Sequence, residues 1–105
     1  MNIFDIYLAY MSFDEDKGGK ERPVLVVDID DGLAVVYNVT SQYGGKSEYI
    51  RSKYYPLKDW KQAGLLKQSY VDTVKARYIE QSVCTKSIGT LTETDKTGLI
   101  AFLNR

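Results

Sequence analysis

The side chains available for chemistry in this chain are limited, because it contains no histidine and only one cysteine, Cys84. Without histidine there is no imidazole to serve as the base of a catalytic triad or as a proton shuttle. A single cysteine excludes a disulfide within the chain, and the two absences together exclude a zinc site of thiolates and imidazoles. Any catalysis must therefore use arginine, lysine, tyrosine, hydroxyl or carboxyl groups, and we expect no metal and no cofactor. With no histidine to activate it, Cys84 is interpreted as a small packing residue.

A predicted β-hairpin brings two suitable side chains to one end of a ribbon. The Asp-Gly pair at 31–32 is a strong signal for a two-residue turn. It joins valine-rich stretches at 23–29 and 33–40, which predict buried strands. When the residues are paired outward from this turn, the last pair is Pro23 with Thr40.

Arg22 and Thr40 form the candidate site. Arg22 immediately precedes Pro23, so the predicted register places its guanidinium beside the Thr40 hydroxyl. A guanidinium can donate two parallel hydrogen bonds to phosphate oxygens, and a hydroxyl adds a further donor. The pair therefore suits a phosphate or a pentavalent phosphorus intermediate. The alternative interpretation is an arginine in a loop ion pair and a threonine that ends a strand, and on generic grounds that alternative is favoured.

The rest of the sequence predicts one mainly β domain that spans residues 1–105. Its length and its hydrophobic content of 44% are sufficient for one core. Short strands joined by hairpin turns and followed by a helix predict a small half-open barrel with appended helices. Thr92, followed by Asp95, predicts the start of the last helix. The other predicted elements are strands at 6–13, 48–54, 70–76 and 83–86 and a short helix at 56–63.

The hydropathy and charge of the sequence limit the environments and partners that we expect for the protein. No apolar run approaches the roughly 20 residues of a membrane span, and the N-terminus has no basic region of a signal peptide. We therefore expect a cytoplasmic protein without membrane contact. The formal net charge is zero, but residues 1–45 hold three basic and eight acidic side chains, and residues 46–105 hold eleven basic and six acidic ones. This asymmetry indicates either scatter or a basic groove on a neutral molecule.

Short motifs in a fixed order resemble a known family. They are Asp5-Ile6-Tyr7, Gly18-Gly19 followed by Arg22-Pro23 and a valine-rich strand, Val39-Thr40-Ser41-Gln42, Ser69-Tyr70-Val71, Arg77-Tyr78-Ile79, and Ile88-Gly89-Thr90-Leu91. Together they cover nearly the whole chain and resemble the PemK/MazF family, the toxin endoribonucleases of bacterial toxin–antitoxin pairs. The Arg-Pro and Thr-Ser-Gln motifs, at this separation and in this order, are the most specific of them.

The resemblance implies a fold, a reaction and partners. The fold would be an SH3-like barrel with a C-terminal helix, and the protein would be a homodimer inhibited by an antitoxin. The reaction would be metal-independent cleavage of single-stranded RNA by the ribose 2′-hydroxyl, with Arg22 and Thr40 as the catalytic pair. Ser41 and Gln42 would support the pair. Expected contacts to the RNA backbone come from basic side chains, namely Lys17, Lys20, Lys46, Lys75 and Arg77.

Two alternatives from other functional classes remain open at this point. One is a toxin on the same fold that poisons gyrase and cleaves nothing, and the other is a non-catalytic SH3-like binding module. The presence of both Arg22 and Thr40 disfavours each. Dimer formation is also expected because the apolar stripe of the last helix is larger than so small a domain can bury; its members are Leu99, Ile100, Phe102 and Leu103.

Overall fold

The valine-rich hairpin lies at the centre of a six-stranded antiparallel sheet in the computed structural model, which describes residues 1–12 and 19–105. The described residues also form two α-helices, α1 (Glu48–Arg51) and α2 (Glu93–Leu103), and a 3₁₀ turn at Gln81–Val83. The mainly β fold with short helices and a C-terminal helix is thus confirmed. In the sheet order β4-β5-β3-β2-β1-β6, the strands are β1 (Asp5–Ser12), β2 (Gly19–Asp30), β3 (Leu33–Thr40), β4 (Tyr54–Pro56), β5 (Tyr70–Glu80) and β6 (Cys84–Thr90).

The turn of the central hairpin has the geometry that its sequence predicts. Asp31 has φ 48° and Gly32 has φ 86°. Two successive residues with positive φ are typical of a type I′ turn, whose twist matches that of the flanking strands. Asp30 lies opposite Leu33, as expected.

The register changes further along the same hairpin. A β-bulge between Val26 and Asp28 adds one residue to β2, so Val24 lies opposite Asn38. When this register is continued by two residues, Arg22 itself faces Thr40, and the predicted pairing of Pro23 with Thr40 is wrong by one residue. The bulge therefore shifts the register in the direction that places Arg22, and not Pro23, opposite Thr40.

The sheet is open, so the predicted SH3-like barrel is wrong. Among the described strands, β4 and β6 are the two edges, and no ladder joins them. Residues 57–69, which we call the wall segment, connect β4 to β5 and pack against β6 instead. A Cβ on Gly89 of β6 would overlap the Ala63 carbonyl oxygen, so the two backbones are in direct contact. Turns of the wall segment take the place that a closing strand pair would need.

Two of the predicted elements adopt a different secondary structure from the predicted one. The other predicted strands are present, and only their first and last residues differ from the prediction. The stretch 48–54, predicted as an edge strand, begins with α1 because the Ser47 hydroxyl accepts the Ile50 N–H at 3.3 Å and caps the helix. The stretch 56–63, predicted as a helix, begins with Pro56 at the end of β4 and continues as irregular turns of the wall segment. Phe13, the predicted end of the first strand, lies outside the described residues.

The buried carboxyl group of Asp95 fixes the wall segment to α2. Asp95 has no exposed surface, and its two oxygens accept the Tyr55 hydroxyl at 2.8 Å and the N–H groups of Lys58 and Asp59 at 3.0 and 2.8 Å. Thr92 caps α2 by accepting the Asp95 N–H, and its hydroxyl donates to Asp59 at 2.6 Å. Burial, followed by the hydrogen bond to Asp95, raises the pKa of Tyr55, so its hydroxyl remains a donor. These long-range bonds explain why a local helix prediction fails here.

The core is divided between the two faces of the sheet. Leu25 belongs to the larger apolar cluster, which also contains Leu57 and Leu99. Its neighbours in sequence, Val24 and Val26, belong to a second cluster, because successive side chains of a strand point to opposite faces. The wall segment and α2 therefore cover one face of the sheet.

Gly98→Ala is expected to destabilise the protein, although alanine has a helix propensity about 1 kcal/mol better than glycine. An alanine Cβ would overlap the Tyr55 hydroxyl oxygen, and the ring cannot move away without breaking its bond to Asp95. We expect a net loss of about 1–3 kcal/mol, the usual cost of overpacking a core, measured by urea denaturation. Thr97→Ala, at an exposed position of the same helix, is the matched control and should not destabilise. A Gly98→Ala variant as stable as that control would refute the contact.

Candidate active site

A cleft at one end of the central hairpin contains four of the sequence-predicted site residues. Its volume is about 560 Å³, and its lining includes Arg22, Thr40, Ser41 and Gln42. Arg22 is exposed on β2, opposite Ala9 of β1, and Thr40 is half-buried at the last position of β3. The predicted catalytic pair and its two predicted supporting residues therefore line the same cleft.

The Thr40 hydroxyl is held by the backbone that follows it. The N–H of Gln42 donates to the Thr40 Oγ1 at 3.1 Å, a turn in which a hydroxyl accepts from the residue two positions on. A hydroxyl that accepts one hydrogen bond still carries an O–H donor. Thr40 can therefore present a donor to a phosphate oxygen in a fixed position.

A tyrosine cluster supports this turn from the side of β5. Tyr70 lies opposite Thr40 in the β3–β5 ladder, and the ring of Tyr43 stacks on Tyr70 with a centroid distance of 4.5 Å. Tyr54 contacts both rings at 6.3 and 6.4 Å. The sequence places Tyr70 in one of the family-like motifs but does not predict this cluster, because only the fold brings three distant positions together.

The opposite side of the cleft was not foreseen from the sequence. It consists of the end of the wall segment, with Lys67, and of β6, with Lys86. The excess of basic residues from position 46 onward is compatible with a basic groove as well as with scatter, and it does not say which lysines would lie in such a groove. Lys86 does stand two positions before the Ile88-Gly89 pair of the family-like motif, and that proximity is the one sequence signal for it.

A glycine fixes how closely the wall segment approaches β6. Gly64 has φ 97°, a conformation that side-chain-bearing residues rarely adopt, and a Cβ there would overlap the Ile88 carbonyl oxygen. The part of the wall segment that follows Gly64 is further held by two hydrogen bonds. Gln68 Nε2 donates to the Leu57 carbonyl at 2.9 Å, and the Ser69 hydroxyl donates to the Lys67 carbonyl at 2.9 Å. The backbone that carries Lys67 is thus anchored at both ends.

The other residues expected to contact RNA are not among the described residues that line this cleft. Lys17 is outside the described residues, and Lys20, Lys46 and Lys75 do not line the 560 Å³ cleft. Arg77 lines a second, smaller cleft of about 310 Å³ with Tyr78 and other residues. Of the described residues in this set, Lys20 lies nearest to the pair in sequence, two positions before Arg22 on β2.

The remaining reactive groups do not form a second centre among the described residues. In residues 1–12 and 19–105, no group of three or more histidine, cysteine, aspartate or glutamate side chains is placed to hold a metal ion. Burial raises the pKa of the Cys84 thiol, which keeps it in the unreactive protonated form. Cys84 also packs against the second apolar cluster, in agreement with a packing role. Within the same described ranges, no helix has the length and apolar character needed to cross a membrane.

Comparison with known proteins identifies the class to which this fold and cleft belong. The family model of the PemK-like, MazF-like toxin of type II toxin–antitoxin systems matches residues 3–103. The chain belongs to this toxin family, which confirms the resemblance noted in its motifs, and membership implies an antitoxin partner. Among solved structures, it is similar to the Mycobacterium tuberculosis toxin MazF-mt6, with a TM-score of 0.71 and 19% sequence identity over 95% of this chain and 92% of that chain. At this level of sequence identity, the similarity shows that the two proteins share a fold. Comparison with curated proteins finds no match.

Proposed function

We propose that this toxin is a metal-independent endoribonuclease that cleaves single-stranded RNA by transesterification. The observation that carries the proposal is the presence of Arg22, Thr40 and Gln42 in one cleft. The ribose 2′-oxygen of the substrate attacks the adjacent phosphorus, and the bond from phosphorus to the 5′-oxygen breaks. The 2′-hydroxyl loses its proton and the departing 5′-oxygen gains one. The products are a 2′,3′-cyclic phosphate, which water can open to a 3′-phosphate, and a 5′-hydroxyl.

Each residue of the pair has a role that its chemistry allows. The nucleophile belongs to the substrate, so the protein needs no activated serine or cysteine. Arg22 stabilises the negative charge that builds on the non-bridging oxygens, and it acts as a charge and not as a base because the pKa of arginine lies above about 12. Thr40 donates to the same phosphate, and Gln42 holds the Thr40 hydroxyl in place. Ser41 lines the cleft beside them.

In this proposal, side chains outside the cleft also contact the RNA backbone. Lys17, Lys20, Lys46, Lys75 and Arg77 remain the candidates on other parts of the chain. Basic side chains at such positions contribute affinity that is independent of sequence and falls with added salt. The protein would act in the cytoplasm, where its RNA substrate and its antitoxin are found.

A homodimer is part of the same proposal, and α2 supports it. Leu99 is completely buried, and the Phe102 ring packs edge-on against Tyr55 at 5.6 Å. Ile100 and Leu103 keep 48% and 44% of their surface exposed, so half of the predicted stripe is available to a partner. An acidic antitoxin segment that folds on binding would inhibit by occupying the cleft.

Purified protein is expected to cleave single-stranded RNA in the presence of excess EDTA. The scheme draws its nucleophile from the substrate and its charge stabilisation from Arg22, so chelation should leave the rate unchanged. Fluorescently end-labelled RNA resolved on a denaturing gel measures this, and DNA of the same sequence is the control because it lacks the 2′-hydroxyl. Activity that EDTA abolishes and Mg²⁺ or Mn²⁺ restores would contradict the scheme. Absence of cleavage across RNAs of varied sequence would favour a gyrase-poisoning or non-catalytic role.

A further inference from the structure

The charge of the cleft differs from that of the whole molecule. The chain has as many acidic as basic residues, 14 of each. Among the described residues that line the cleft, the ionisable side chains are Arg22, Lys67 and Lys86, and none is acidic. A cleft whose described lining carries charges of one sign attracts ions of the opposite sign. These side chains therefore suit an anion with more than one point of contact.

The three cations come from different elements. Pro23, next to Arg22, and Lys86 both lie opposite Leu8 of β1, so β1 separates the strands that carry the two cations. Two strand spacings correspond to about 10 Å. Lys67 approaches from the anchored wall segment. Successive phosphates of one strand can each contact one of three cations that start from different elements.

Apolar side chains line the same cleft as the cations. Leu8 and Ile88 line the cleft on the sheet side, and Leu65 lines it on the wall segment. Bases and riboses present apolar faces, and a single strand can lay those faces on such a surface while its phosphates contact the rim. The described lining thus offers both the cations and the apolar faces that a single-stranded polynucleotide can contact.

We propose that Lys67 and Lys86 bind the phosphates that flank the one held by Arg22 and Thr40, so that the RNA strand crosses the cleft between the sheet and the wall segment. This inference rests on the proposed function for the identity of the strand. A lysine ammonium is a point charge on a flexible stem, and it contacts phosphates without fixing the base sequence. Lys67 and Lys86 therefore contribute binding of the substrate backbone, and the charge at the reacting phosphorus is left to Arg22.

Binding of an RNA that cannot react tests the inference separately from catalysis. The probe is a fluorescent, mixed-sequence 2′-O-methyl oligoribonucleotide, in which the attacking oxygen is blocked, and its affinity is measured by anisotropy at several salt concentrations. Each of Lys67→Ala and Lys86→Ala is expected to reduce the slope of log affinity against log salt by about 0.7, the value for one phosphate contact on a single strand. The double variant is expected to lose about twice that amount. Lys58→Ala, an exposed lysine of the wall segment that does not line the cleft, is the matched control.

Cleavage kinetics give a second readout. Lys67→Ala and Lys86→Ala are expected to raise KM and leave kcat within about threefold of the wild type. Each lysine would bind the substrate and the transition state equally well, and loss of such a contact raises KM without changing kcat. Affinities and salt slopes equal to those of Lys58→Ala, in variants with native circular dichroism, would overturn the inference. If no RNA is cleaved but the salt slopes fall as expected, the cleft binds polynucleotide and only the proposed reaction fails.

Discussion

Arg22→Ala is expected to slow RNA cleavage by about 10²–10³-fold, the usual effect of removing one donor from a site that stabilises developing negative charge. The fold should remain intact because Arg22 is exposed at the rim of the cleft. Arg22→Lys should recover only part of the rate, since it restores the charge without the two parallel hydrogen bonds of a guanidinium. Single-turnover cleavage at saturating enzyme measures the chemical step. Arg105→Ala, at the C-terminus and outside the cleft, is the matched control, and an Arg22→Ala rate close to that control would contradict the assigned role.

Substitutions of Thr40 separate its hydroxyl from its position in β3. Thr40→Ser keeps the donor and the bond from the Gln42 N–H, so it should cleave at a rate near that of the wild type. Thr40→Ala removes both and should lose about as much activity as removal of any single well-placed donor, about 10²-fold or more. Equal rates for the serine and alanine variants would show that the hydroxyl takes no part.

Asp95→Ala is expected to be the most destabilising single substitution considered for this protein, with a loss of about 3–5 kcal/mol. The substitution leaves three buried or partly buried donors without an acceptor, those of Tyr55, Lys58 and Asp59, and each unsatisfied group costs about 1–3 kcal/mol. The melting temperature should fall by more than about 12 °C, since 1 kcal/mol corresponds to about 4–8 °C in a domain of this size. Thr94→Ala, at an exposed position of the same helix turn, is the control. A loss below about 1 kcal/mol would contradict the structural role of the carboxyl group.

The Asp95 network also links stability to the cleft. The wall segment begins at the residues that donate to Asp95 and ends at those that line the cleft, Lys67 and Ser69. Loosening its first half should therefore widen the cleft before the whole domain unfolds. In the Asp95→Ala variant, amide hydrogen exchange should increase most in the wall segment and α2, and least in the central hairpin.

Features that depend on neighbouring residues could be predicted from the sequence. The Asp-Gly turn, the strands that it joins and the helix capped by Thr92 each follow from the residues within them. The arginine–threonine pair could also be found, because the turn alone brings its two strands together. The bulge after Val26 shifts the β2–β3 register by one residue. When that register is continued, Arg22 and not Pro23 lies opposite Thr40.

Features that depend on distant contacts could not be predicted. Residues 56–63 have the composition of a short helix, but a carboxyl group some 36 positions away binds their N–H groups. The open sheet has the same origin, since Gly64 and Gly89 let the wall segment pack directly on β6. Lys67 reaches the cleft only through this packing, and the sequence signal for Lys86 is limited to its place beside the Ile88-Gly89 motif, so the second side of the site could not be assembled from the sequence.

The chemical ends of cleaved RNA test the central claim most directly. RNA incubated with the wild-type protein in EDTA should carry a 2′,3′-cyclic phosphate or a 3′-phosphate upstream of the cut and a 5′-hydroxyl downstream. Mass spectrometry of the fragments reads both ends, and Arg22→Ala protein prepared in parallel controls for a contaminating nuclease. Fragments with a 3′-hydroxyl and a 5′-phosphate would contradict attack by the ribose hydroxyl in the Arg22–Thr40 cleft.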